Sequence, residues 1–278
     1  MTRMAYETSG GETFDLSGVS SGITGAELRG WELTRSGRAY ARQQRSCTAA
    51  ISFVGYGEEA HESAMRMLEL CDRDAREGTP GRLHVGEWYL TCYVTAGGNA
   101  VWDHGHLSYD VTLVADDPSW CREVTRSFLP SSGSQISNEQ LDYSHDYPHD
   151  YGARQSVGTE VEVPGIEPCD FRITVYGYAL APYVRVNSNV YQVNVTVPEG
   201  GLLVIDSTRK SSMAGDAIVL SDMYGNSQNA FDKRVRGSEG SGSYVFQRIE
   251  PGLASVTWPQ GFGFDLTLIE RRGRLPWT

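Results

Sequence analysis

A two-residue alternation of apolar and polar side chains recurs along most of this chain. In residues 88–94, Trp, Leu, Cys and Val alternate with Tyr, Thr and Tyr, and residues 107–113 repeat the pattern. Successive side chains of a β-strand point to opposite faces, so each run predicts a strand with one buried face. Gly97-Gly98-Asn99 lies between the two runs, which predicts neighbouring strands joined by an irregular hairpin loop.

The second half of the chain repeats this organisation in shorter pieces. Turn residues such as Asn187-Ser188-Asn189 separate the apolar runs, as is typical of all-β proteins. Many short strands at this spacing predict a β-sandwich or jelly roll. The expected strands cover residues 171–175, 184–186, 191–197, 202–206, 244–246, 255–258 and 264–269.

Residues 58–77 have a helical period instead. Ala64, Leu68 and Cys71 fall on one helical face, and acid-first charged pairs four residues apart occupy the others. Gly78 follows as the expected C-cap. The sequence therefore predicts one clear helix that packs its apolar face against a sheet or against another subunit.

The length of 278 residues is typical of two domains. Residues 131–165 are polar and aromatic, without helical or strand period, and we interpret them as a connector. The predicted organisation is thus an N-terminal domain over 1–130, the connector, and a C-terminal domain over 166–278.

Charge and cysteine content exclude several classes of protein. The formal net charge of −11 argues against general binding to nucleic acid or anionic lipid. Five cysteines without a CxxC pair indicate free thiols rather than a zinc or disulfide framework. We find no apolar leader and no membrane-length apolar run, so we expect a protein that is made in the cytoplasm and has no membrane partner.

The chain offers little for catalysis. It has no glycine-rich phosphate loop that ends in Lys-Ser or Lys-Thr. We therefore expect a non-enzyme without cofactors; a glycoside hydrolase would need two carboxyls placed across a cleft, which sequence cannot test. Two histidine pairs, His104 with His106 and His145 with His149, are possible metal ligands, although loop histidines beside water are the commoner case.

The order of several motifs resembles the distal tail protein family of siphophages and prophages. The residues that carry the resemblance are 86–90 (GEWYL), 115–120 (ADDPSW), 146–151 (DYPHDY), 201–206 (GLLVID) and 264–272 (FDLTLIERR). The likeness runs from about residue 31 to the end of the chain.

This resemblance implies an all-β-dominated fold with one helix: an N-terminal β-sandwich with a helix and a β-hairpin, and a C-terminal galectin-like or jelly-roll sandwich. It implies a homohexameric ring at the virion tail tip, made in a bacterial host. The ring would join the major tail tube protein to tail-associated lysin, tail fibre or receptor-binding proteins, and DNA would pass through it on ejection. No catalytic residue is implied.

A closed ring uses head-to-tail contacts, and edge strands and helices are natural places for them. We expect the ring interface at Trp88, Tyr89, Tyr93, Arg66 and Arg73, with Tyr89 exposed enough that Tyr89→Asp would give monomers.

The alternative function is a carbohydrate-binding adhesin that acts through the C-terminal sandwich. Aromatic side chains stack on sugars and also populate protein interfaces. The candidate sugar contacts are Trp258, Tyr183 and Tyr191.

Overall fold

The structure is a computed structural model that describes residues 4–16, 32–36, 39–43, 45–51, 58–103, 106–117, 119–130, 159–209 and 217–275, with only the backbone described over 32–61 and 96–112. The chain forms two compact units. The first contains Met1–Glu123 and Arg271–Thr278, and the second contains Val124–Glu270. Residues 271–275 therefore belong with the first unit, whereas the boundaries predicted from the sequence placed them in the C-terminal domain.

The first unit is built around antiparallel strands and one helix. Its order is β2-β1-β6-β7, with β9 beside β7, and β8 pairs with both β7 and β5; β3 and β4 form a separate hairpin. The elements are β1 (Met4–Glu7), β2 (Thr13–Asp15), β3 (Glu32–Ser36), β4 (Ala39–Gln43), β5 (Arg45–Ile51), α1 (Glu58–Glu77), β6 (Gly81–Val85), β7 (Trp88–Asp103), β8 (His106–Ala115) and β9 (Trp120–Phe128).

The predicted helix is confirmed with the same bounds. Its apolar face joins Leu83, Leu90 and Trp120 of the sheet in one buried cluster. The predicted packing of this face against a sheet is therefore confirmed. Gly78 ends the helix in the left-handed region at φ +69°. Thr79 N donates to Asp74 O at 3.0 Å, the six-to-one bond of a Schellman cap.

The predicted pairing of β7 with β8 is confirmed, but the predicted loop is in the wrong place. Ala96 pairs with Val111 and Ala100 with Tyr109, so two extra residues of β7 form a bulge at the glycines. The strand then continues to Asp103. Glycine lacks the Cβ that would oppose a bulge, which is why a glycine-rich run fits inside a strand as well as in a turn.

The second unit is a β-sandwich. One antiparallel sheet has the order β18-β17-β16-β11-β20, the other β10-β19-β13-β14, and β12 pairs with β15. The strands are β10 (Thr159–Val163), β11 (Asp170–Tyr176), β12 (Ala179–Leu180), β13 (Tyr183–Val186), β14 (Asn189–Gln192), β15 (Thr196–Val197), β16 (Leu202–Asp206), β17 (Ile218–Ser221), β18 (Ser227–Asn229), β19 (Gly252–Thr257) and β20 (Phe264–Arg272).

Alternating residues of both sheets fill the core between them. Phe171 of β11 meets Tyr191 of β14 edge to face, with ring centroids 4.8 Å apart. The expected strand at 244–246 is wrong: these residues form a turn in which Gln247 N donates to Tyr244 O. Val245 and Phe246 are nevertheless buried. The prediction failed because three alternating residues are too few to distinguish a strand from a buried turn.

The fold class predicted from sequence is confirmed: the described residues are dominated by antiparallel strands and contain one α-helix. No helix among them is long and apolar enough to cross a membrane.

Candidate interaction surfaces

The first unit presents a polar and aromatic sheet face on the side of β6 and β7 opposite α1. The strand register sets His84 beside Tyr89 and Tyr89 beside Cys121, while Glu7 lies beside Arg82. These residues alternate with the buried side chains that face the helix. We call this surface the outer face of the first unit.

Hydrogen bonds and ring contacts order the outer face. His84 Nε2 lies 2.9 Å from a Glu7 carboxylate oxygen, and the Arg82 guanidinium lies 4.7 Å from the centre of the Tyr89 ring. The Tyr89 hydroxyl donates to Glu123 at 2.9 Å. Burial and the neighbouring anions raise the pKa of Tyr89 well above its usual range. The face is thus a connected network rather than a set of independent side chains.

Tyr89 is only 9% exposed, which corrects the expectation that it projects freely into solvent. Its ring contacts the Arg82 guanidinium and its hydroxyl is bonded within the unit. Tyr89→Asp would place a second carboxylate beside Glu123 and weaken the unit itself. This substitution would therefore not separate loss of a ring from loss of the fold.

Trp88 is also 9% exposed and belongs to the core cluster of the first unit. The guanidinium groups of Arg122 and Arg272 each lie 5.2 Å from the centre of its ring, within the range of cation–π attraction. Arg271 forms an ion pair with Asp117. Through these contacts Arg271 and Arg272, at the end of β20, pack on the first unit.

The remaining predicted ring-interface residues lie nearer the surface. Arg66 is 64% exposed along its side chain and donates two hydrogen bonds to Glu12, at 2.7 and 3.0 Å. Arg73 lies 3.3 Å from the buried carboxylate of Asp74. Tyr93 is partly exposed. Whether these residues contact a second subunit stays a prediction.

The second unit carries exposed apolar side chains at one end of its larger sheet. The register sets Tyr176 beside Leu202, where β11 ends and β16 begins, and Leu202 beside Ser221 at the end of β17. Both apolar residues are about two-fifths exposed. The segments that follow β11 and β17 add further exposed side chains. We call this set the apolar edge; its members are Tyr176, Tyr178, Leu180, Leu202, Met223 and Tyr224.

The three candidate sugar contacts do not share one surface. Tyr183 is 38% exposed on the outer side of β13, whereas Tyr191 faces the core and donates its hydroxyl to Gln247 O at 2.7 Å. Trp258 is partly buried, packs against Phe128 with ring centroids 5.3 Å apart, and donates its indole N–H to a backbone carbonyl. Its first role is packing.

Most of the histidines predicted as possible metal ligands lie outside the residues that the structure describes. His104, His145 and His149 lie outside the described residues, and His106 begins β8 with its backbone alone described. Among the residues whose side chains are described, no group of three possible metal ligands comes together.

Sequence reasoning missed Glu7, Arg82 and His84 of the outer face. Their strands are separated by the helix in the chain, and only the register between β1, β6 and β7 brings them together.

The two-unit all-β fold is shared with phage baseplate proteins. A chain of the phage P2 baseplate in its activated conformation with Ca matches at a TM-score of 0.54 and 11% identity, over 99% of this chain and 100% of that chain. The same baseplate with Sr gives a TM-score of 0.52 at 11% identity and the same coverage. SPP1 Dit, described as a paradigm of the hub adsorption apparatus in phages that infect Gram-positive bacteria, gives 0.49 at 12% identity over 98% of this chain and 99% of that chain.

No protein-family model matches the sequence. No curated protein matches it either.

Proposed function

We propose that this protein is a structural component of a phage tail tip, a distal tail hub, and not an enzyme. The observation that carries the proposal is the match to the P2 baseplate chain over 99% of this chain and the whole of the other. A lone β-sandwich serves many unrelated functions. A match over two successive units is a stronger guide, because it includes their order and size.

In the proposed assembly six copies form a closed ring between the tail tube and the adhesion apparatus. Such a ring needs two different surfaces on each copy. The outer face and the exposed side of α1, with Arg66 and Glu12, are two such surfaces in the first unit. The net charge of −11 suits a ring through which DNA passes without adhering.

The apolar edge of the second unit is our candidate for the contact with receptor-binding or tail fibre proteins. Tyr178 is 62% exposed, Leu180 71% and Tyr224 81%, although aromatic and aliphatic side chains are ordinarily covered. Exposed apolar groups gathered at one end of a domain mark protein interfaces.

The test is the mass of the purified chain by light scattering after size exclusion, alone and with the tail tube protein of the same phage. One chain has 30.6 kDa, so a ring of six has about 184 kDa, six times that mass. We expect a six-fold ring with a central hole in negative-stain images. A chain that stays monomeric in both samples would refute the ring.

A further inference from the structure

The apolar edge of the second unit continues onto the outward face of the larger sheet. Val204 of β16 pairs with Thr174 on one side and with Val219 on the other. Residues two apart on a strand and directly paired residues share a face, so Leu202, Val204 and Val219 point outward together. Both valines are partly exposed. An apolar area therefore extends from Tyr176 across β16 and β17.

Tight turns hold the exposed side chains of this edge in place. In the turn between β17 and β18, the Asp222 carboxylate accepts hydrogen bonds from Tyr224 N and Asn226 N, each at 2.9 Å. Asp222 N in turn donates to Asn226 O at 3.0 Å. The turn before β16 packs against this one, since a Cβ on Gly200 would lie 3.2 Å from Cβ of Met223. Because both turns are ordered, binding through Met223 and Tyr224 costs little conformational entropy.

The charged residues at this edge are acidic. Glu199 is exposed in the turn before β16, and Asp222 lies in the turn after β17. Asp265 of β20 lies beside Tyr176 and accepts a hydrogen bond from its hydroxyl at 2.6 Å. The segments that form the edge contain these three acids and no Lys or Arg; they are residues 174–181, 196–204, 219–227 and 261–267.

Basic residues of the second unit lie outside these segments. Arg172 is on the same face, four residues before Tyr176, and forms an ion pair with Asp206 at 3.2 Å. Arg126 belongs to β9, which β20 separates from β11. Lys233 lies beside the link between β14 and β15, where its carbonyl accepts a hydrogen bond. The edge therefore has a negative potential, which favours a positively charged partner.

Three other occupants fit this edge poorly. A second copy of this chain carries a net charge of −11, and like charges across an interface are unfavourable. Anionic lipid is disfavoured for the same reason. Leu180, Leu202 and Met223 are exposed and aliphatic. A sugar, whose surface is covered with hydroxyls, gains little from contact with such side chains, because hydroxyls buried without a partner are costly.

We propose that the apolar edge binds a segment of another tail protein in which an aliphatic or aromatic side chain is flanked by Lys or Arg. The apolar side chain covers Tyr178, Met223 and Tyr224. The cations pair with Glu199 and Asp265 or lie over the tyrosine rings. This inference rests on the proposed tail-tip role and adds the chemistry of the partner at one surface.

Photo-crosslinking in assembled particles tests the proposal. The photoreactive residue p-benzoylphenylalanine replaces Tyr224 in one variant of the full chain and Tyr178 in another. Particles that contain the variant are irradiated, digested and analysed by mass spectrometry. We expect crosslinks to another tail protein, within a segment whose Lys and Arg outnumber its Asp and Glu. The same residue at Ser188, exposed on the β13–β14 turn, should not crosslink to that segment.

The crosslinked segment, made as a synthetic peptide, then separates the apolar and charged contributions by fluorescence anisotropy. Tyr224→Ser removes an exposed ring and should weaken binding about tenfold or more. Glu199→Lys should weaken it roughly threefold to tenfold at low salt. This effect should largely disappear at about 0.5 M NaCl, where charges are screened beyond about 4 Å. Glu160→Lys makes the same change of charge at an exposed position of β10, in the other sheet, and should change binding less than about twofold.

Each outcome supports or overturns the proposal. Crosslinks to a second copy of this chain, to a glycan or lipid, or to an acidic segment overturn it, as does the absence of crosslinks at both tyrosines. Equal effects of Glu199→Lys and Glu160→Lys overturn it too, because the charge would then act over the whole protein. If mass spectrometry finds no copy of the chain in the particles, the tail-tip role fails as well. A chain that is present without crosslinks refutes only this inference.

Discussion

Replacing Asp74 by Asn should weaken the attachment of the N-terminal hairpin to α1. Asp74 is 1% exposed and lies in the last turns of the helix. Its carboxylate accepts hydrogen bonds from Ser9 N at 2.8 Å and Ser9 Oγ at 2.7 Å, at the turn between β1 and β2. The substitution keeps the size of the side chain and removes its charge and one acceptor.

The magnitude follows from these contacts. A hydrogen bond to an ionised group contributes about 1.5–3 kcal/mol. Asn retains one carbonyl oxygen, so one of the two Ser9 bonds survives in weaker form. The Arg73 contact at 3.3 Å involves a side chain that is 40% exposed and adds little. We expect a loss of about 2 kcal/mol in the free energy of unfolding of the first unit, allowing for water at the exposed serine.

Urea denaturation followed by tryptophan fluorescence measures this loss. With a slope of about 2 kcal/mol per molar urea, the midpoint should fall by about 1 M. Hydrogen exchange should rise in peptides that cover residues 4–16. Asp72→Asn is the matched control, because Asp72 is exposed on the same helix and its change should stay within about 0.5 kcal/mol. Equal midpoints for the two variants would refute the assigned role of Asp74.

Three further predictions concern other parts of the molecule. Burial raises the pKa of Cys71 to about 12 and of Cys169 to about 11, so iodoacetamide at pH 8 should label both thiols much more slowly in the native protein than in urea, as read by mass spectrometry; equal rates would contradict their burial. The hydrogen bond from Arg66 lowers the pKa of Glu12, so the stabilisation by this pair is present above the usual carboxyl pKa and is lost as pH falls through the lowered pKa of Glu12. Arg66→Gln should return the Glu12 pKa toward its usual range. Carboxyl NMR measures this pKa, and an unchanged pKa would count against the pair. Trp258→Ala should lower the free energy of unfolding by about 2–3 kcal/mol through lost packing, as measured in a thermal or urea melt. Loss of glycan binding in this variant would therefore not by itself identify a sugar contact. Unchanged stability would show that the indole does not pack as described.

The elements predicted most accurately from the sequence depend on neighbours in the chain. Helix α1 begins and ends where the charge pairs and Gly78 indicate, since its pattern and cap lie within one segment. Strands β7, β11 and β16 follow the two-residue alternation, which records which face of a strand is buried.

Local patterns also explain the errors. Gly97-Gly98-Asn99 fits a turn and a bulge equally well, and only the register with β8 distinguishes the two. Alternation at 244–246 shows that Val245 and Phe246 are buried, without showing that the backbone is extended.

The candidate sites were decided by contacts between distant parts of the chain. Tyr89 is buried because Arg82 and Glu123 approach it from other strands. Asn189 is buried at the β13–β14 turn, where it donates a hydrogen bond to Tyr244 O, 55 residues further along the chain. A sequence by itself determines which residues are apolar, where helices and strands can form, and what the net charge is. Which polar groups meet and which aromatic rings are covered depend on tertiary packing, because these contacts join residues that no local pattern relates.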